Sequence, residues 1–123
     1  LLDTQVVIIA ARTPERLSER VRTALLDGGV QRYVSLVSLW EIVIKRATGK
    51  LAMGNQEIDQ TLADLGADEL AIRRQHVLEV AALPFHHRDP FDRLLIAQAK
   101  AEDLIVATRD RSFAAYDIRI LPA

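Results

Sequence analysis

The stretch from His86 to Ala107, HHRDPFDRLLIAQAKAEDLIVA, carries most of the information about architecture. It begins inside a proline-bounded loop, Pro84 to Pro90. Within it, Asp89-Pro90-Phe91-Asp92 reads as an N-cap, a proline at the first helical position and an acid near the positive end of a helix. The helix runs through Ala101. Leu104 to Ala107 is then apolar without alternation, the pattern of a strand covered on both faces.

The rest of the chain alternates in the same way. Leu1-Leu2 reads as the end of a buried strand that stops at Asp3, and Val6 to Ala11 as a short helix. From Pro14, Leu17, Val21 and Leu25 recur at intervals of four along a second helix that Gly28-Gly29 ends. Val30 to Leu36 is β-prone. Ser38 is expected to cap a third helix with Leu39, Ile42, Val43 and Ala47 inward and Gly49 at its end. A fourth helix spans Gln56 to Leu65, with Ile58, Leu62 and Leu65 on one side. Leu70 to Ile72 is a brief strand, Arg73 to Leu83 a helix with Val77, Val80 and Ala81 inward, and Ile118 to Leu121 a last strand. Strands separated by helices imply crossover units, an α/β fold and a mostly parallel sheet.

At 123 residues the chain supports a single domain, 1–123, and buries roughly two-thirds of its unfolded surface. The absence of cysteine excludes disulfide scaffolds, thiol nucleophiles and cysteine-held metals. The longest apolar run, Val6 to Ala11, is six residues, far short of the roughly 20 that a membrane span needs. A net charge of −1 and 5% aromatic residues argue against nucleic-acid binding by bulk electrostatics or by base stacking. A cytoplasmic protein is expected, with no membrane partner. The first residue is Leu and the only Met is Met53, so the native start is expected a few residues upstream.

Ligands of parallel sheets gather at the carboxyl ends of the strands. There the chain has Asp3 after the first strand and Asp110 just beyond Leu104 to Ala107, with Glu41 and Asp92 in the first turns of two helices. Two carboxylates about 4 Å apart repel by about 4 kcal/mol at an effective dielectric near 20, so four stay ionised together only around a cation. Magnesium or manganese suits such an oxygen-only set, retains water and serves phosphodiester hydrolysis. Each acid also has a structural reading. Ser38 to Glu41 fits a capping box, Asp89 fits an N-cap, and Asp110 fits a cap for Arg111 to Tyr116. Asp3, ending a buried strand, has the weakest structural alternative.

Leu1-Leu2-Asp3-Thr4, Ser35 to Lys45 (SLVSLWEIVIK), His86 to Ala99 (HHRDPFDRLLIAQA) and Thr108-Arg109-Asp110 together resemble the signature blocks of PIN-domain ribonucleases. More narrowly, they resemble the VapC-type toxins of type II toxin–antitoxin systems. The resemblance spans essentially the whole chain, and Gln5 departs from it where relatives commonly have His. It implies a three-layer α/β/α sandwich around a short, mostly parallel sheet. It makes Asp3, Glu41, Asp92 and Asp110 the metal ligands, with the Thr4 and Thr108 hydroxyls orienting carboxylates. It implies an endoribonuclease dependent on Mg2+ or Mn2+, one or two ions, that cleaves tRNA, rRNA or mRNA by metal-activated water. The implied partners are a VapB-like antitoxin and a second copy, in a homodimer or a higher toxin–antitoxin assembly.

Arg88 and Arg93 are candidates for holding the scissile phosphate, and either can instead pair with Asp89 or Asp92. The loop pair His86-His87 has no third histidine near it in sequence, His76 lying ten residues before, and reads as contacts to RNA phosphate or as solvated, not as metal ligands. Lys45, one turn beyond Glu41, is expected to pair with it. Val6 to Ile9 and Trp40 are candidates either for core or for docking a partner. Two alternatives stand beside the nuclease: a flavodoxin-like, receiver-type signalling module and a catalytically silent PIN scaffold.

Overall fold

The computed structural model describes all residues, 1–123. Six helices are present: α1 (Thr4–Arg12), α2 (Glu19–Leu26), α3 (Leu36–Ala47), α4 (Asn55–Leu65), α5 (Arg74–Ala82) and α6 (Pro90–Ala101). Four strands of three residues each, β1 (Tyr33–Ser35), β2 (Asp68–Leu70), β3 (Val106–Thr108) and β4 (Ile120–Pro122), lie between or after them. Pro14–Arg16 and Arg111–Ala115 form 3₁₀ turns.

β1 runs parallel to β2, Tyr33 facing Asp68, and β3 runs parallel to β4, Val106 facing Ile120. Leu2 joins the two pairs through parallel bridges to Val34 and Ala107. Its N–H donates to the Tyr33 carbonyl at 2.9 Å, and the Ala107 N–H donates to the Leu1 carbonyl at 2.8 Å. The order across the sheet is therefore β2, β1, Leu2, β3, β4. The chain moves outward on one side of Leu2 and then on the other, so the strand order reverses at the centre. Such a reversal opens a crevice beyond the carboxyl ends of the strands.

Side chains alternate across each strand, and two apolar clusters lie on opposite faces of the sheet. Leu1 and Val106 belong to one cluster, with Leu95, Ile96 and Ala99 of α6 and with Phe113. Leu2, Val34 and Ala107 belong to the other, with Val6 and Val7 of α1, Val21 of α2 and Ile58 of α4. Val37 of α3 joins the first cluster and Ile42 the second, so α3 crosses the end of the sheet. Three layers, α/β/α, result.

Several local expectations are corrected. The N-cap of α3 is Ser35, whose Oγ accepts from the Val37 N–H at 3.0 Å, so the helix starts a turn earlier than a Ser38 cap would have it. That register buries Val37, Ser38, Glu41 and Ile42 and turns Val43 and Ala47 outward. On α5 the buried residue is His76, while Val77 is exposed. The ring of His76 accepts from the Arg73 N–H at 3.0 Å and pairs with Glu102 at 2.8 Å, which supplies polar partners for an inward histidine. The brief strand near residue 70 is Asp68–Leu70, two residues earlier than Leu70 to Ile72. No helix is long and apolar enough to cross a membrane.

Candidate metal centre

Because all strands run the same way, the residues that leave Leu2, β1 and β3 emerge at one end of the sheet. A cavity of about 380 Å³ opens there, lined without a single hydrophobic residue by Asp3, Thr4, Gln5, Glu41, Lys45, Asp89, Asp92, Arg109 and Asp110. The four acids singled out from the sequence meet in it, together with Asp89.

Local chemistry holds each one. Asp3 follows the central bridge and caps α1, its Oδ1 accepting from the Val6 N–H at 2.8 Å. An acid expected to lack a structural task thus has one. Burial pushes its carboxyl above the ordinary range; the Thr108 hydroxyl and the Val6 N–H oppose that, while Glu41 and Asp110 reinforce it. Glu41 lies in the second turn of α3, not the first, and belongs to no capping box because Ser35 is the cap. Its Oε2 meets Lys45 Nζ at 3.0 Å, as the spacing of four predicted, and its Oε1 is buried with no partner.

Asp92 sits in the first turn of α6, whose cap is Asp89. The Asp89 Oδ1 accepts from the N–H groups of Phe91 and Asp92 at 2.8 and 3.1 Å. The Asp92 carboxyl is pushed up to about 7, first by burial and then by the charge of Asp89; His87 works against this, and Glu41 and Asp3 add to it. Asp110 caps the 3₁₀ turn that follows β3, with Oδ1 accepting from the Ser112 N–H at 2.8 Å. Burial works upward on its carboxyl, but hydrogen bonds from Ser112 and His87 outweigh it and hold the group below the ordinary range.

Thr108 is well placed to orient carboxylates. Its Oγ1 accepts from the Asp110 N–H at 3.0 Å, which leaves the hydroxyl proton for Asp3. Thr4 acts otherwise: its hydroxyl donates to Ser38 Oγ at 3.0 Å, so at the cavity wall it ties α1 to α3 instead of bonding a carboxylate.

The two predicted phosphate contacts are not brought into the cavity. Arg93 is 6% exposed and turns toward the C-terminal end of α5, away from the acids. It donates to the carbonyls of Val80, Leu83 and Pro84 and to the Tyr116 hydroxyl, and lies 4.3 Å from the centre of the Phe85 ring. Arg88 is exposed and makes no ion pair. Sequence reasoning missed the two side chains that do face the acids. Arg109 lines the cavity without an ion-pair partner. His87 Nε2 lies 2.9 Å from Asp92 Oδ2 and 3.1 Å from Asp110 Oδ2. The signal for both was their position, since each sits within a signature block one or two residues from an acid.

The residues fit a hard divalent cation. Every donor is a carboxylate oxygen except one imidazole, the buried Glu41 Oε1 has no partner, and Asp92 resists ionisation because it is buried and other acids crowd it. His87, Asp92 and Asp110 each offer one donor atom, all within 4.8 Å of one another.

The profile of the PIN domain matches residues 1–119. The chain belongs to the PIN-domain family. Its fold is also that of solved toxin–antitoxin structures. A chain of VapBC2 from Rickettsia felis, bound to a promoter DNA fragment, is 17% identical with a TM-score of 0.75, over 98% of this chain and 95% of that one. A chain of DNA-bound VapBC from Salmonella typhimurium is 18% identical with a TM-score of 0.73, over 98% and 94%. FitAcB from Neisseria gonorrhoeae is 25% identical with a TM-score of 0.66, over 98% and 95%. No curated protein matches the sequence. Membership of the PIN family removes the receiver-type alternative, which required a flavodoxin-like sheet.

A second, larger cavity of this PIN domain, about 600 Å³, lies on the opposite flank between α1, α2 and α4. Ala10, Ala11, Leu17, Leu25 and Leu65 form its floor, and Arg22, Glu57 and Asp64 its rim. Val6 and Val7 are core residues, whereas Ile8 and Ile9 are half-buried. Trp40 is 53% exposed and packs edge-on against Phe91 with ring centres 4.9 Å apart.

Proposed function

We propose that this PIN domain is a divalent-metal-dependent endoribonuclease and the toxin of a toxin–antitoxin pair. The observation that carries the reading is the convergence of Asp3, Glu41, Asp92 and Asp110 on one wholly polar cavity, with the buried Glu41 Oε1 left without a partner. Those four carboxylates hold Mg2+ or Mn2+. When bound, the cation neutralises the acids and supplies Lewis acidity toward water and phosphate.

The chain's own residues do the rest. Thr108 orients Asp3 and Asp110, and Lys45 holds one oxygen of Glu41 and leaves the other without a partner. Arg109, exposed and unpaired, holds a phosphate oxygen of the RNA, the task that the sequence had suggested for Arg88 and Arg93. A chain of net charge −1 gathers too few cations to hold RNA alone. A second copy supplies them, docking on the outer face of α3, where Trp40, Val43 and Ile44 are exposed. The apolar groove between α1, α2 and α4 takes a segment of a VapB-like antitoxin. Its support is the likeness to toxin chains of toxin–antitoxin complexes.

The test is cleavage of total cellular RNA by the purified protein in Mn2+, beside EDTA and beside Asp92→Asn. Discrete fragments that vanish in both controls support the reading. Fragments that persist in either control overturn it, and a protein that binds Mn2+ yet cleaves no RNA is a silent scaffold.

A further inference from the structure

His87 is held on several sides at once. Its backbone N–H donates to the Tyr116 hydroxyl at 2.8 Å, and its ring meets Phe113 edge-on, with centres 6.1 Å apart. Its Nδ1 accepts from the Asp89 N–H at 3.1 Å. A ring nitrogen that accepts from an N–H carries a lone pair, so the hydrogen-bond pattern assigns the ring proton to Nε2. That Nε2–H donates to Asp110 Oδ2 at 3.1 Å, and Asp92 Oδ2 lies 2.9 Å from the same nitrogen, in contact with it but outside hydrogen-bond geometry.

The tautomer decides what His87 can do. A ring nitrogen bearing a proton has no lone pair to give a cation, although the three donor atoms lie close enough together to suggest a His-Asp-Asp ligand set. The two acids come from separate elements, the first turn of α6 and the loop after β3, and they repel each other. One imidazole edge, bonded to Asp110 and in contact with Asp92, brings both to one point without adding an ion that would compete for the site.

We propose that His87 is a positioning residue: it holds Asp110 through Nε2–H and seats Asp92 against the same ring edge, in a tautomer set by the Asp89 N–H, and so pre-assembles the cation site without ligating the metal. The proposal rests on the metal-dependent reading above and adds to it a residue outside the ligand set. It also links the cap of α6 to the site, since Asp89 orders the helix with its side chain and sets the His87 tautomer with its backbone.

Calorimetric titration with Mn2+ of the wild type, His87→Ala and His87→Gln tests it, together with pulsed EPR of the Mn2+-loaded wild type. Loss of this hold is expected to weaken Mn2+ binding about 10- to 100-fold in His87→Ala, in line with other residues that orient metal ligands. His87→Gln, whose amide offers an N–H at similar reach, recovers most of that loss. The wild-type spectrum shows no nitrogen bonded directly to Mn2+, a result that does not depend on either variant folding. Unchanged affinity in His87→Ala, no recovery in His87→Gln, or a directly coordinated nitrogen each overturns the proposal. Failure of the wild type to bind Mn2+ is the separate result that overturns the metal reading itself.

Discussion

Replacing Asp92 with Asn removes a carboxylate that burial and then the neighbouring acids hold against ionisation. In the folded protein that group titrates near 7, against an ordinary value of 3.8. Between those two values the folded chain keeps a proton that the unfolded chain has released. The metal-free wild type therefore loses stability as pH rises from about 4 to about 7, and levels off above that. At 1.36 kcal/mol per pH unit the full rise corresponds to about 4 kcal/mol. Asp92 is 23% exposed, and solvent screening brings the figure to roughly 2–4 kcal/mol. The neutral amide of Asp92→Asn carries no such cost. In EDTA at pH 8 the variant is expected to be more stable than the wild type by that amount, on the order of 10 °C in Tm for a domain of this length. At pH 4, where Asp92 is protonated, the two converge. Asp3 titrates in the same direction but is common to both proteins, so the difference between their profiles isolates Asp92. Saturating Mn2+ reverses the order at pH 8, because only the wild type gains binding energy. Thermal melts from pH 4 to 8.5, with and without metal, read all of this. Parallel profiles, or a variant less stable than the wild type in EDTA at pH 8, would refute the reasoning.

Three further outcomes follow from the geometry. Glu41→Gln removes one negative charge and keeps the side-chain shape, so RNA cleavage falls at least 100-fold while the unfolding free energy measured with urea in EDTA stays within about 0.5 kcal/mol of wild type or rises. Arg93→Ala removes the side-chain donor from the Leu83 and Pro84 carbonyls and one of the two donors of the Val80 carbonyl, and urea unfolding should show a loss of about 2–4 kcal/mol. Its Mn2+ affinity stays at the wild-type value, because the side chain does not reach the acids. Ile42→Ala opens a cavity in the fully buried cluster beneath α1 and α3 and costs about 2–5 kcal/mol in the same assay.

Much of this architecture was legible because each crossover carries its own punctuation. Asp89-Pro90 marks the start of α6 to the residue, and Gly49, at φ 72°, closes the end of α3 in a conformation that favours glycine. The doubly covered run around Val106 reveals the parallel sheet. Helix registers were less legible. On α3, Ser35 and Ser38 are both competent caps, and the choice falls to Ser35 because Ser38 is taken by Thr4 across the joint with α1. On α5 the apolar residues alone suggest an inward Val77. The partners that bury His76 instead, Arg73 and Glu102, lie on either side of it in the chain, and Glu102 is 26 residues away.

The four acids were legible from their place at strand ends and helix starts. The supporting side chains were not. Arg93 resembles a phosphate contact in sequence because it sits beside Asp92, yet consecutive helical residues point in different directions. His87 resembles a solvated loop residue until Phe113 and Tyr116, far along the chain, close around it.

The most direct test of the metal centre is where a cation binds. Crystals soaked in Mn2+ and measured at an anomalous wavelength locate it without any assay of activity. The expected result is a peak within coordination distance of carboxylate oxygens of Asp3, Asp92 and Asp110, with the unpartnered Oε1 of Glu41 turned toward it. An empty cavity at saturating Mn2+, or a peak held by His87 with the acids turned away, would contradict the proposed site.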